Sequence, residues 1–426
     1  MNNGSESSRV RVAVAQLGAR VKYAVPIALQ RAGMLGHLYT DGWANRPLRD
    51  VVSAVPRWLR PAPLQWLLTC SCPVEHPGVT SFFSLGLAYR WKQRTARDRS
   101  ELTAAFLWAG ERFDQLILES GGPTADAVYG FHGASRTLFR HCRERGMVCI
   151  LEQSVAPWRL QNTALAEELD LWPGWEPVGR DTCGSVYAER EAAEWQLADL
   201  IIAGSEFVVD GLAACGVNRA KCAVVPLGVN VRSRGPARAA EVPAGPLRVV
   251  YAGAIGLRGG VQYLLQAARK LPTRLHARIV GPICCNRRTL AAALPANVEI
   301  VGRVPRSELL RHLAWADVFC APSVTDGMAA ATREALAAGL PVVCTSSTGS
   351  IVRDGVDGYI VPVRDTQALA DRLDALAGDR ALLAELARNA RRRAGDHSCE
   401  SHARRLTDAV QQAAARPQVP LDARST

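Results

Sequence analysis

At 426 residues, 48% hydrophobic and 21% charged, the chain has the composition of a globular protein of two or three domains, not of a disordered or fibrous one. No stretch approaches the ~18 uninterrupted apolar residues of a membrane span, and Met1 to Ser8 is polar with no secretory h-region, so the chain is expected to begin near Met1 in the cytosol. The net charge of +11 asks for an anionic partner; no nucleic-acid-binding motif occurs and much of the excess lies in helical arginines such as Arg388 to Arg393, so nucleic acid is not expected.

Val10 to Gln16 alternates valine with other residues and leads through Gly18 into a helix around Tyr23 to Ala32, the strand-turn-helix opening of a Rossmann-like domain. Further strands are expected at Leu38 to Thr40, Gln115 to Leu118, Ala127 to Tyr129, Val148 to Glu152, Asp199 to Ala203 and Cys222 to Pro226, with helices such as Ser135 to Arg145 as crossovers. Within residues 43–112, Trp43, Trp58, Trp66 and Trp91 alternate with Arg46, Arg49, Arg57, Arg60, Arg90, Lys92, Arg94, Arg97 and Arg99. That mixture suits peripheral contact with an anionic membrane, at its inner face. The alternative is a pair of helices whose tryptophans pack inward, and Pro47, Pro56, Pro61 and Pro63 argue against one continuous amphipathic helix.

Residues 231–246 are rich in Pro, Gly, Ala and Arg without apolar periodicity and read as a linker between a first domain, 1–230, and a second, 247–397. The second domain alternates helices with strands at Leu247 to Ala252, Ala277 to Gly281, Val298 to Val301, Val318 to Ala321, Val342 to Thr345 and Tyr359 to Val361. A last helix is expected at 398–415 and a disordered tail at 416–426. The 12 cysteines form no C-x-x-C; Cys70 with Cys72, and Cys284 with Cys285, are the nearest pairs, so no metal centre is expected.

The densest signal follows the strand at Val318 to Ala321. Pro322-Ser323 ends that strand, Asp326-Gly327 lies in the loop after it, and strong helix formers run from about Met328 to Ala338 before Gly339 and Pro341 stop the helix. In an open α/β sheet this places Asp326 and a helix N-terminus where ligands bind, with Glu334 on the helix among small alanines. A second loop, Gly253 to Gly260, has glycines that permit backbone approach, Arg258 for charge and a helix beginning near Val261, as an anion site requires. A plain glycine-rich turn is the alternative reading of that loop.

The pattern P-S-x-x-[DE]-G, seven residues between the two acids, then E-A-x-A-x-G-x-P-V-V, resembles the retaining glycosyltransferases of family four, which have the GT-B fold. Thr348-Gly349-Ser350, Arg353 to Tyr359, Val361-Pro362, Ala252-Gly253, Leu257 to Val261 and Gly302-Arg303-Val304 extend the resemblance over about residues 247–365. Gly204 to Val208 and Val225 to Val229 carry it more loosely into the first half.

The resemblance implies two Rossmann-like domains facing each other across a cleft, the acceptor on the first, the nucleotide sugar on the second, and the last helix returning to the first. It implies that Glu334 binds the donor ribose, and that Asp326 and the amides of Gly327, Met328 and Ala329 bind the sugar. On the residues alone, Asp326 also reads as a helix N-cap and Glu334 as an exposed helix charge. It further implies the diphosphate on Gly253, Arg258, Gly259 and Gly260, and a donor-sugar contact from His132, whose alternative is an ordinary surface-loop histidine. Glu152 and Gly18 are further cleft candidates. Members commonly carry lysine where this chain has Gly259; Arg258, Arg303 or Arg287 would then supply the charge. Asp326 replaces a commoner glutamate, and Met328-Ala329 a frequent Phe-Gly.

The expected activity is therefore retaining, metal-independent transfer from a nucleotide-diphosphate sugar to a glycan, lipid-linked or small-molecule acceptor, with no cofactor and with Asp326, Glu334 and His132 as the catalytic group. The alternative is a catalytically degenerate GT-B protein that binds a nucleotide sugar or a partner enzyme. A hydride-transferring dinucleotide enzyme is disfavoured, since neither domain has G-x-G-x-x-G after its first strand.

Overall fold

The computed structural model describes residues 10–44, 46–56, 59, 66–68, 70, 78–176, 181–229, 245–328 and 330–416. Most of the expected linker, 231–244, and the tail from 417 lie outside them, as do Trp58 and Ala329.

Two parallel sheets organise the chain. The first contains β1 (Val12–Gln16), β2 (Leu35–Thr40), β3 (Val79–Ser81), β4 (Ala127–Phe131), β5 (Val148–Gln153), β6 (Leu200–Ala203) and β7 (Cys222–Val224), in the order β3-β2-β1-β4-β5-β6-β7. The second contains β8 (Leu247–Ala252), β9 (Leu275–Val280), β10 (Val298–Gly302), β11 (Val318–Ala321), β12 (Val342–Thr345) and β13 (Gly358–Val361), in the order β10-β9-β8-β11-β12-β13. Every residue of β1, β4, β5, β6, β11 and β12 is buried, which is why these strands read as unbroken apolar runs: helices cover both faces. In each sheet the strand order reverses once, between β1 and β4 and between β8 and β11. A crevice opens beyond the carboxyl ends of the strands at such a reversal.

Gln115 to Leu118 is not a strand. It lies in the Arg99–Glu119 helix, whose start Asp98 caps by accepting the Glu101 N–H. Ala105, Ala109, Phe113 and Ile117 recur every four residues on its buried face, and that period prevails over the local β preference of Leu-Ile-Leu. β3, only three residues long, carries no readable period.

The last helix, Cys399–Ala414, places Leu406, Val410 and Ala413 in one core with Val12, Val14 and Leu29 of the first domain. A second crossing is less visible in sequence. Leu165 and Trp175, which precede the linker, are buried in the core of the second domain with Val249, Leu264 and Leu369. Glu168, fully buried beside them, accepts hydrogen bonds from Gln262 Nε2 at 2.7 Å and Tyr263 Oη at 2.9 Å, and pairs with Arg364 Nε at 2.6 Å. Residues 164–176 thus belong to the first domain in sequence and pack against the second in space.

Candidate active site

The two loops at the β8/β11 reversal are tied together. Val324 N–H donates to the Arg258 carbonyl at 2.9 Å, and Arg258 Nε donates to the Thr325 carbonyl at 3.1 Å. The turn before the Val261–Lys270 helix depends on Gly260, which has φ +73° and lies against the Pro322 carbonyl. Arg258 and Asp326 consequently open into one cavity of about 930 Å³, with Gly253 and Gly259 also on its wall. Burial raises the Asp326 pKa above the ordinary carboxylate value, opposed by the Arg258 charge, the Met328 N–H and Arg333.

The opposite wall comes from the first domain. Arg99, at the start of its long helix, lies with its guanidinium 5.2 Å from the centre of the Trp158 ring. Burial lowers the Arg99 pKa, Asp181 raises it, and Arg258 across the cavity lowers it further. The cavity therefore has a cation on each side, one per domain. Phe106, Trp158 and Tyr187, packed against one another, give it an aromatic wall. Glu176 reaches across with the 164–176 segment, and its Oε1 accepts the Leu257 N–H at 2.7 Å, on the same turn that carries Arg258.

Gly259 has a local physical reason. A Cβ there would overlap the Tyr251 hydroxyl, which donates to the Ala254 carbonyl at 2.7 Å, so Tyr251 fills the space from which a side chain at 259 would leave the backbone. Gly259→Lys is expected to lower the thermal midpoint by roughly 5 °C, and a Tyr251→Phe background is expected to restore more than half of that loss. Thermal unfolding of both singles and the double variant measures this coupling; additive losses would show that the hydroxyl is not what excludes a side chain.

Other expected site residues lie elsewhere. Glu334 does not share the Asp326 cavity: it pairs with Arg306 Nη1 at 2.7 Å and lines a second cavity of about 470 Å³ on the other side of the Ala330–Ala337 helix. The amide of Gly327 is not free for a sugar, because it donates to the Ser347 carbonyl at 3.1 Å, as does that of Asp326. The Gly327 carbonyl accepts from Ser205 Oγ at 2.6 Å, and Met328 packs against Gly204, so these two residues make a domain contact. Ala329 is outside the described residues.

His132 is buried, which overturns the surface-loop alternative. Its Nδ1 is 3.2 Å from the Glu152 carbonyl, and burial, then Arg20, holds its pKa down to about 3, so it is neutral at pH 7. Glu152 is also buried, accepting from Tyr129 Oη at 2.8 Å and Ser154 Oγ at 3.1 Å, and burial raises its pKa. Gly18, at φ +79°, donates its N–H to Asp41 Oδ1 at 2.7 Å. None of these three lines either cavity, and neither do Gly260, Arg287 or Arg303. Arg99, not Arg287 or Arg303, shares the cavity with Arg258. Sequence places it only in a basic aromatic stretch, because no local motif links position 99 to position 258.

Two parallel-sheet domains with a last helix returning to the first define the GT-B fold. Residues 246–379, most of the second domain, match the family described as glycosyl transferases group 1. The chain is 34% identical over 194 residues to the putative colanic acid biosynthesis glycosyltransferase WcaL of Escherichia coli K12, covering 42% of this chain and 48% of that protein. It is 32% identical over 264 residues to a D-inositol 3-phosphate glycosyltransferase of Xylanimonas cellulosilytica, covering 56% and 60%. It thus spans about half the length of the curated relatives it matches. Among solved structures, a sucrose-phosphate synthase from Thermosynechococcus elongatus superposes with TM-score 0.64 at 18% identity over 95% of this chain and 99% of that one. Anabaena Alr3699/HepE in complex with UDP superposes with TM-score 0.59 at 14% identity over 94% and 100%. These two likenesses concern the fold.

Proposed function

We propose that the chain is a retaining, metal-independent glycosyltransferase that moves a sugar from a nucleotide-diphosphate donor to a saccharide, lipid-linked or small-molecule acceptor. The observation that carries this reading is the convergence of Arg258, Asp326 and, from the other domain, Arg99 in one cavity at the reversal of the second sheet. Breaking the bond between the anomeric carbon and the β-phosphate oxygen leaves charge on the diphosphate, and two guanidiniums facing that position stabilise it. The new bond forms to the acceptor oxygen, and the acceptor proton passes to the departing phosphate oxygen. Glu176 is engaged with the Leu257 N–H, which disfavours it as a separate base. Asp326 orients the sugar hydroxyls. Glu334 takes the ribose once its pair with Arg306 opens, with the nucleoside lying across Ala330, which borders both cavities.

The WcaL relative favours a saccharide acceptor, in envelope or exopolysaccharide assembly. Incubation with a panel of nucleotide sugars and candidate acceptors, in buffer containing a chelator, is expected to release one nucleoside diphosphate. Retention of anomeric configuration in the product completes the test, and an inverted product would remove the mechanism. Binding of a nucleotide without release would favour the degenerate reading, for which the Arg306–Glu334 pair and the absent lysine speak.

The membrane part of the proposal rests on one helix. Phe83, Leu87 and Trp91, spaced by four on the Phe83–Thr95 helix, are 38%, 36% and 65% exposed beside Arg90, Lys92 and Arg94, whereas Trp66 is buried against Phe83 and Arg90. No described helix is long and apolar enough to cross a membrane. An apolar stripe flanked by cations suits an anionic surface. Sedimentation with phosphatidylglycerol vesicles but not with phosphatidylcholine vesicles is expected, and the reverse or no binding would contradict it.

A further inference from the structure

The second cavity lies between the Ala24–Arg31, Ala330–Ala337 and Cys399–Ala414 helices, and its chemistry is different from that of the first. Arg333 is 2% exposed. Its Nη2 makes one long 3.5 Å contact to the Met328 carbonyl, and its Nη1 is buried with no hydrogen-bond partner. Asp326 and Glu334 stabilise its charge only through space, and burial, the larger effect, pushes its pKa down to about 10, so it is charged at neutral pH. Leaving a guanidinium buried and unpaired is costly, and such groups are retained where something binds them.

His402 adds a second unsatisfied group. It is 6% exposed, with Nδ1 3.1 Å from the Pro226 carbonyl and Nε2 buried without a partner. Both side chains line the same cavity, together with Lys22, Arg31 and Arg306. The one acidic side chain on that wall, Glu334, is already paired with Arg306. Nδ1–H of His402 is spent on the Pro226 carbonyl and burial lowers the ring's pKa, so Nε2 is an acceptor. A buried guanidinium donor, that acceptor and flanking cations match a phosphoryl group that keeps one P–OH, and the cavity volume of about 470 Å³ exceeds the needs of a single such group.

We propose that Arg333 and His402 form a second anion site, which holds a phosphoryl group between the two domains. This goes beyond the donor reading, which enters the second cavity only at Ala330 and Glu334, since it rests on Arg333 and His402, outside both loops of the candidate active site. The phosphoryl group has two sources, the nucleotide itself or a phosphorylated acceptor.

The test is calorimetric titration of inorganic phosphate into full-length wild type, Arg333→Met, His402→Gln and Arg258→Met proteins. Phosphate is expected to bind wild type and Arg258→Met alike, and at least tenfold more weakly to Arg333→Met, the loss of one charge-assisted contact of about 1.4 kcal/mol or more. Because Arg333→Met removes an unpaired buried charge, it is expected to fold with an unchanged or higher thermal midpoint, and phosphate is expected to raise the midpoints of wild type and Arg258→Met but not that of Arg333→Met. Arg333→Lys and His402→Gln provide the same comparison should the methionine variant not fold. Repeating the titration with saturating nucleoside diphosphate separates the sources: competition assigns the site to the nucleotide phosphate, and undiminished binding assigns it to a phosphorylated acceptor. Equal binding by wild type and both Arg333 variants, or no phosphate binding at all, overturns the proposal, and so does weakening by Arg258→Met alone.

Discussion

Replacing Gly260 with alanine is expected to destabilise the second domain by about 3 kcal/mol, lowering its thermal midpoint by ~10 °C. The backbone at Gly260 is left-handed, φ +73°, where an L side chain is disfavoured. The larger effect is steric. A Cβ at this position would overlap the Pro322 carbonyl, and that neighbour is backbone, held where β11 ends. Relief requires the Gly253–Gly260 turn and the Pro322–Asp326 loop to part, which also breaks the bonds of Arg258 with Val324 and Thr325. The variant is expected to lose donor binding together with stability. Differential scanning calorimetry checks this, and a midpoint within 2 °C of wild type would show that the loops do not hold each other as described.

The second large effect is on chemistry. Arg258→Met is expected to lower kcat/KM by about a hundredfold, the loss that follows removal of one donor from a developing oxyanion. Its backbone carbonyl still accepts from Val324, so the loops stay joined and stability changes little. Arg99→Met is expected to weaken turnover less, because its guanidinium stands on the opposite wall, over Trp158, and not on the turn itself. Steady-state kinetics with the donor found in the release assay measure both. Full activity of Arg258→Met would move the diphosphate away from this turn.

Most strands were legible because their physics is local. β11 and β12 are short apolar runs bounded by Pro322, Gly339 and Pro341, and only a doubly covered parallel sheet buries such runs completely. That Arg258 and Asp326 lie on neighbouring loops at strand ends was legible for the same reason. Glu334 marks the limit. Spacing puts it on the helix after Asp326, yet which cavity that helix face sees depends on how Arg306 and the Cys399–Ala414 helix pack, and nothing within the motif encodes that. Arg99, Glu176 and Arg333 were missed because each acts through a partner far away in sequence: Trp158 and Arg258, the Leu257 amide, and a cavity shared with His402. His132 was placed at the right strand end, but its burial follows from Glu152 on the neighbouring β5.

The most direct test of the central claim is calorimetric titration of nucleoside diphosphates into the full-length protein, repeated with Arg258→Met and Glu334→Ala. Saturable binding of one base class, weakened at least tenfold in both variants, the loss expected from removing a charge-assisted contact, is the predicted result. Absence of binding for every base, or binding indifferent to both substitutions, would contradict a nucleotide-sugar site between these domains.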